Sequence, residues 1–317
     1  MRKGVIGVLI AGGVLTLAGA IVFGIGSAKE VKEEQLITHT YELELPLSNF
    51  DIDIETADLE FKPATDGKGL VVVEEKEKEY HTVIQEENTL FIDNIVTRKW
   101  YENLLSFASK KMKITIYLPT ENITYNKLSI TTSTGDITIP KEFMFENTSI
   151  ELSTGDVNFS ASSGTGLTIQ ASTGDLTVSD GEAGSLSLST TTGKISVSNY
   201  NAPEVEMSTS TGGLRIEHLR CNNINLGTTT GKVKLNDVIS KEKLSILTST
   251  GDIDIVDSDA GEVYMNAGTG DIDAIFLTDK IIVATSRTGH INVPHLANGG
   301  PCNVETSTGD INISIKG

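Results

Sequence analysis

The sequence predicts an all-β protein: a parallel β-solenoid (β-helix) of about ten 19–20-residue Thr-Gly coils, preceded by a β-rich capping region and one N-terminal transmembrane helix. Three observations predict it. A Thr-Gly pair recurs at a fixed period, apolar residues alternate on both sides of each pair, and the N-terminus carries one long uncharged run. A fixed period of this size marks an architecture whose repeats cannot bury their apolar side alone and must stack.

The glycines fall at Gly135, Gly155, Gly174, Gly193, Gly212, Gly231, Gly251, Gly270, Gly289 and Gly309, each preceded by Thr. In the first copy, Leu128 and Ile130 lie seven and five places before the Gly, and Ile137 and Ile139 lie two and four places after it. Leu244, Ile246, Ile253 and Ile255 repeat the pattern around Gly251. Spacing by two gives each strand one buried and one wet face. The alternation changes phase at the Gly, which predicts a corner. Gly supplies the tight bend and the β-branched Thr favours extended backbone before it. Asp follows the Gly in six copies (Asp136, Asp156, Asp175, Asp252, Asp271, Asp310), where it is expected to hydrogen-bond turn backbone. Stacked in order at roughly 4.8 Å per rung, the coils would form a rod on the order of 50 Å long. The rest of each period varies, as in SASSGTG, SNYNAP and NDVISKEK, and reads as loops on one edge, where recognition is expected.

Five segments follow: residues 1–3 as a cytoplasmic N-terminus, 4–27 as a transmembrane anchor, 28–34 as a charged linker, 35–126 as a β-rich cap with one short helix, and 127–317 as the solenoid. The uncharged stretch from Gly4 to Ser27 has 24 residues, enough to span about 30 Å of hydrocarbon. The alternative is a cleaved signal peptide with Ala28 at the cleavage site. Arg2 and Lys3 favour a cytoplasmic N-terminus, and so an extracellular solenoid on a single-pass cell-membrane protein. Gly12, Thr16, Ala20 and Gly24 place a small residue every fourth position, a pattern that would suit a homodimer in the membrane. In the cap, Phe50 to Phe61 reads as a degenerate coil without the Thr-Gly corner, and Arg98 to Lys111 is the helix candidate.

Net charge is −18 and aromatic residues make up 5% of the chain, which excludes a basic nucleic-acid face and argues against an aromatic core. The outward positions after each Gly form charge blocks. Lys232 and Lys234 abut Asp252 and Asp254, relieving stacked like charge. Asp252, Asp254, Asp271 and Asp273 would put four carboxylates on adjacent rungs, roughly 5 Å apart, with Asp257, Asp259 and Glu262 nearby. Such groups are the ligands a calcium ion takes, and the bland counterpart is a solvated acidic face. The same spacing matches a retaining glycosidase pair, but any stacked Asp ladder must produce it, so no catalytic residue is assigned. Cys221 and Cys302 lie about 19 Å apart, too far for a disulfide. The five histidines show no metal spacing beyond the isolated pair His290 and His295.

The anchor, WYENLLSFASKKMKITIYLP from Trp100 to Pro119, and the TSTGDI coils together resemble the LiaG-like adhesin family of bacterial membrane-attached proteins. That resemblance covers nearly everything after the anchor. It implies a non-enzymatic envelope protein for adhesion, interaction or envelope stress, with a cell-wall or surface ligand and no cofactor. A calcium-dependent binder of cell-wall polymer is the alternative, and a polysaccharide-active β-helix enzyme the third reading.

Overall fold

A computed structural model of the chain describes residues 36–76, 79–96 and 111–316. The transmembrane span, its small-residue stripe and nearly all of the Arg98 to Lys111 helix lie outside those residues. Among the described residues no helix is long and apolar enough to cross a membrane.

The repeats form a parallel β-solenoid whose corners are the Thr-Gly pairs. Leu128, Ile130, Ile137 and Ile139 are buried in the first coil, and Leu244, Ile246, Ile253 and Ile255 in the seventh, at most 1% exposed. Each rung is in register with the next: Ile130 lies over Ile150, and Ile137 over Val157. The ladder continues through the corner, where the Gly135 amide donates to the Thr154 carbonyl at 3.0 Å and the Ile137 amide to Asp156 at 2.9 Å. A Thr three places before several glycines adds a hydroxyl bond to the neighbouring corner, as Thr209 Oγ1 does to the Gly193 carbonyl at 3.1 Å.

The stretch expected to be loop contains a third side of the coil. Seven places after successive glycines stand Tyr200, Leu219, Val238 and Ser258. Nine places after stand Ala183, Ala202, Cys221, Ser240 and Ala260, all buried. A second corner precedes this side. Its residues, six places after the Gly, are Asp180, Asn199, His218, Asp237 and Asp257, every one with positive φ between 49° and 57°. Asn and Asp tolerate that region through local hydrogen bonds, and His is also enriched there. Asn199 Nδ2 donates to Asp180 Oδ1 at 3.1 Å from the next rung. At the third corner, Ser240 Oγ donates to the carbonyls of Asn222 and Lys243 at 2.6 and 2.8 Å.

Coils do not stack strictly in chain order. The strand Ile253–Thr269 pairs with Gly300–Thr308, and Lys280–Thr288 also pairs with Gly300–Thr308. The Gly309 coil therefore sits between the Gly270 coil and the Gly289 coil, which becomes the outermost rung. The expectation of sequential stacking is corrected here: the chain skips one place and returns to fill it. The same happens at the other end. The degenerate coil Phe50 to Phe61 stacks directly on the Gly135 coil, with Ala57 at the Gly position, and on its other side lie Thr89–Val96 and Lys113–Leu118. Antiparallel strands then end the parallel ladder: Gly69–Lys76 on Lys113–Leu118, Leu36–Leu43 on Gly69–Lys76, and Glu79–Glu86 on Thr89–Val96.

Low aromatic content conceals a local cluster. Phe50, Phe61, Tyr125, Phe143 and Phe145 meet inside the first rungs, Phe50 and Tyr125 with ring centroids 5.2 Å apart at 73°. Tyr125 donates its hydroxyl to the Pro119 carbonyl at 2.6 Å, and burial pushes its pKa up to about 12.

The rung order is testable by cross-linking. Asp273 is in register with Asn312, so Asp273→Cys with Asn312→Cys is expected to oxidise to a disulfide, since neighbouring strands bring Cα atoms within bonding range. Asp273→Cys with Asn292→Cys, neighbours only if the coils stacked in chain order, is expected to remain reduced. Cross-linking of the second pair instead of the first would contradict the exchange.

Candidate functional site

The Asp residues after the corner glycines do not bond their own turn. Each offers Oδ1 to the backbone amide of the next rung: Asp136 to Asp156 at 3.0 Å, Asp156 to Asp175 at 2.8 Å, and Asp175 to Lys194 at 2.7 Å. Asp58 begins this run by accepting from the Asp136 amide at 3.0 Å. A second run passes from Asp252 to Asp271 at 3.2 Å, to Asp310 at 2.8 Å and to His290 at 2.7 Å. The receiving rung contributes only its N–H. Lys194 and His290 can therefore follow the glycine at the end of a run, which explains two departures from the Thr-Gly-Asp pattern.

This arrangement also consumes the acidic face. Asp252 gives one oxygen to the Asp271 amide and faces Lys232 Nζ at 3.7 Å, while Asp254 pairs with the same Lys232 at 2.7 Å. Asp271 accepts the Asp310 amide, and Asp273 accepts Asn312 Nδ2 at 3.0 Å. The nearby carboxylates are claimed separately: Asp257 by Lys316 at 2.9 Å, Glu262 by Lys243 at 3.1 Å, and Asp259 by Lys280. Among the described residues no three His, Cys, Asp or Glu side chains are grouped to hold a metal ion. Sequence spacing placed the four aspartates on neighbouring rungs. The lysines and amides that occupy them come from other rungs and were only partly visible.

Concave surface lies instead along the third corner. A groove of about 440 Å³ crosses five coils and is lined by Asn201, Pro203, Arg220, Cys221, Asn222 and Lys241, among others. On its wall Gly184 packs against the neighbouring rung, where a Cβ would lie 2.5 Å from the Thr165 carbonyl oxygen. Arg220 Nη2 binds Asp237 Oδ1 at 2.7 Å, and Nη1 donates to the Asp237 carbonyl at 2.6 Å. His218 Nδ1 meets Asp237 Oδ2 at 2.8 Å on the same corner, and both contacts hold the Asp237 carboxyl below its ordinary range, His218 first. Burial pushes the Cys221 thiol up to about 11, so it is protonated and unreactive at neutral pH. Beside this groove a second hollow of about 610 Å³ presents Glu204, Glu206, Asn223, Asn225 and Lys243. Asn223 Nδ2 bridges Glu204 Oε1 and Glu242 Oε2 at 3.1 and 3.2 Å. The groove is built from the variable segments, the loop edge singled out by the sequence, whereas the second hollow lies mainly on the strand before each Gly, with Glu206, Asn225 and Ser245 at its outward positions. Their polar groups are amides and paired charges, suited to hydrogen-bonding a polar ligand rather than to acid–base chemistry.

Comparison with known proteins adds a family match. The family model described as Toastrack DUF4097 matches residues 47–218 and 201–317. No curated protein matches the chain. Among solved structures, a Bacteroides fragilis protein described as a putative adhesin is 17% identical, with 92% of this chain and 100% of that one covered, at TM-score 0.37. A Parabacteroides distasonis protein described as a putative lipid binding protein is 15% identical over 87% of this chain and 96% of that one, at TM-score 0.49. A second P. distasonis protein, described as a putative adhesin, is 11% identical over 86% and 96%, at TM-score 0.41.

The Asp runs make stability depend on pH. The Asp156 amide, against opposing burial and with help from Lys111, holds the Asp136 carboxyl below its ordinary range, and the His290 amide does the same for Asp310. A carboxyl with a lowered folded pKa contributes stability that is present above its unfolded value near about 4 and lost as pH falls through the folded value. The urea midpoint is expected to fall between pH 7 and pH 3, and Asp136→Ala to lose about 1 kcal/mol at pH 7 while showing a shallower acid decline. An acid decline as steep in the variant as in the parent would remove Asp136 from the account.

Proposed function

We propose, from the premise that this chain belongs to the Toastrack DUF4097 family, that it is a non-enzymatic cell-envelope protein which displays a rigid solenoid as a binding surface. The observation that carries this reading is the groove along the loop edge with the hollow beside it, both presenting Asn, Glu and Lys side chains, set on a frame whose core is continuous from rung to rung. Neighbours described as putative adhesins are consistent with the surface role, without supplying it.

The finer parts of the proposal come from the sequence. Residues 4–27 anchor the chain in the membrane with a cytoplasmic N-terminus, the solenoid stands outside the cell, and the role is the LiaG-like one of adhesion or envelope stress. The ligand class is a cell-wall or surface polymer, met by the amides and charges of Asn201, Asn222, Asn223 and Lys241. Calcium dependence through Asp252, Asp254, Asp271 and Asp273 receives no support from their present partners, each being engaged by an amide or an ammonium group.

Display and binding can be measured in one set of cells. Protease added to intact cells is expected to remove a C-terminal tag, and purified protein to sediment with isolated cell-wall polymer. Asn201→Arg combined with Lys241→Glu is expected to reduce the sedimented fraction severalfold without changing the urea midpoint. A tag cut only after membrane disruption would place the solenoid inside and overturn the reading, as would a bound fraction indifferent to the groove.

A further inference from the structure

Among the described residues the Gly289 coil is the outermost rung and pairs with one neighbour, the Gly309 coil. Its first strand residue, Lys280, turns its side chain inward and is 2% exposed. Lys280 Nζ donates to Asp259 Oδ1 and, at 2.8 Å, to Thr278 Oγ1, and it lies 5.8 Å from the centre of the Phe276 ring. Asp259 belongs to the strand Ile253–Thr269, inside the intervening Gly309 coil, and is 8% exposed. Its Oδ1 also accepts the Ala260 amide at 2.8 Å, while its Oδ2 is buried with no hydrogen-bond partner among the described residues. Gly300, on the intervening rung, has no side chain to come between them: a Cβ there would lie 3.7 Å from Lys280 Nζ.

As an ion pair this is a poor arrangement. Two charges lose their water, and one carboxylate oxygen receives nothing in return. The geometry points to a different end state: we propose that Lys280 and Asp259 condense to an intramolecular amide. Proton transfer from the ammonium to the carboxylate along their hydrogen bond gives the neutral amine and acid that can condense. The Nζ lone pair then attacks Asp259 Cγ. The Ala260 N–H, already aimed at Oδ1, stabilises the charge that develops on that oxygen in the tetrahedral intermediate. The Thr278 hydroxyl accepts from Nζ and holds the amine in place. The Nζ–Cγ bond forms, the Cγ–Oδ2 bond breaks, and Oδ2 departs as water carrying two of the three ammonium protons, so no oxidant or co-reactant is needed. Fixed proximity in a dry site supplies the driving arrangement.

The consequence is mechanical. The link joins residues 21 apart in sequence and ties the outermost coil to the interior past the Gly309 coil. An edge rung held on one side becomes one that cannot peel away without breaking a covalent bond.

Mass spectrometry of a tryptic digest of the full, denatured chain decides the matter. After Lys243 the next tryptic sites are Lys280 and Arg287. The amide predicts one fragment, residues 244–287, uncut at Lys280 and one water lighter than its sequence mass. Asp259→Asn is expected to give the same uncut fragment through loss of ammonia, and Lys280→Arg to give cleavage at 280 with unreduced mass. Wild-type protein cut at Lys280 at full mass would overturn the proposal. So would a water loss accompanied by normal cleavage, which would mark a succinimide at Asp259 instead.

Discussion

Everything in this molecule depends on the close approach of one corner to the next. At Gly212 the backbone has φ of 151°, and a Cβ would lie 1.8 Å from the carbonyl oxygen of Gly193 in the neighbouring rung. Glycine is therefore required twice, by conformation and by space. With the corners stacked this tightly, the amides on either side meet their partners, the inward rows fall into register, and the residue after the Gly is delivered to the next rung's N–H. The relative sizes of these effects matter. Truncating one inward Ile to Ala costs about 2–5 kcal/mol, whereas an amide bonded to a carboxylate contributes about 1.5–3 kcal/mol at most. The core holds the coils together, and the Asp runs align them.

Legibility in the sequence followed periodicity. Leu128, Ile130, Ile137 and Ile139 announced two sides because alternation by two is visible wherever one face is buried and the other wet. The third side escaped because its inward row mixes Tyr200, Ala202, Leu219, Cys221, Ser240 and Ser258, too varied in polarity to read as apolar. The signal that could have found it was positional: Asp, Asn or His at the sixth place after successive glycines, the residues that accept positive φ. Ala57 likewise concealed the corner of the Phe50 to Phe61 coil, although Thr56 and Asp58 flank it as in Thr-Gly-Asp. The exchange of the last two coils was beyond reach, since each coil satisfies the repeat equally well in either place.

The candidate site shows the same division. Stacking of Asp252 with Asp271 and of Asp254 with Asp273 was deducible from the period, but their availability to a ligand was not. That depends on Lys232 and Asn312, and on which amide faces which carboxylate. The variable segments were the better guide. They form the third corner, where a groove crosses the stacked coils. A frame fixed by repetition and an edge free to vary together suit a displayed binding surface.

The most direct test compares two glycines fifteen residues apart under urea. Gly212 stands at a corner, while Gly227 lies within a strand, where an added Cβ would meet nothing closer than Ser208 Cβ at 3.9 Å. Gly227→Ala is expected to leave stability within about 0.5 kcal/mol of the parent. Gly212→Ala is expected to lose about 3 kcal/mol or more, from positive φ and the collision with the Gly193 carbonyl together. Equal midpoints for the two variants would mean that the corners are not what sets the stack.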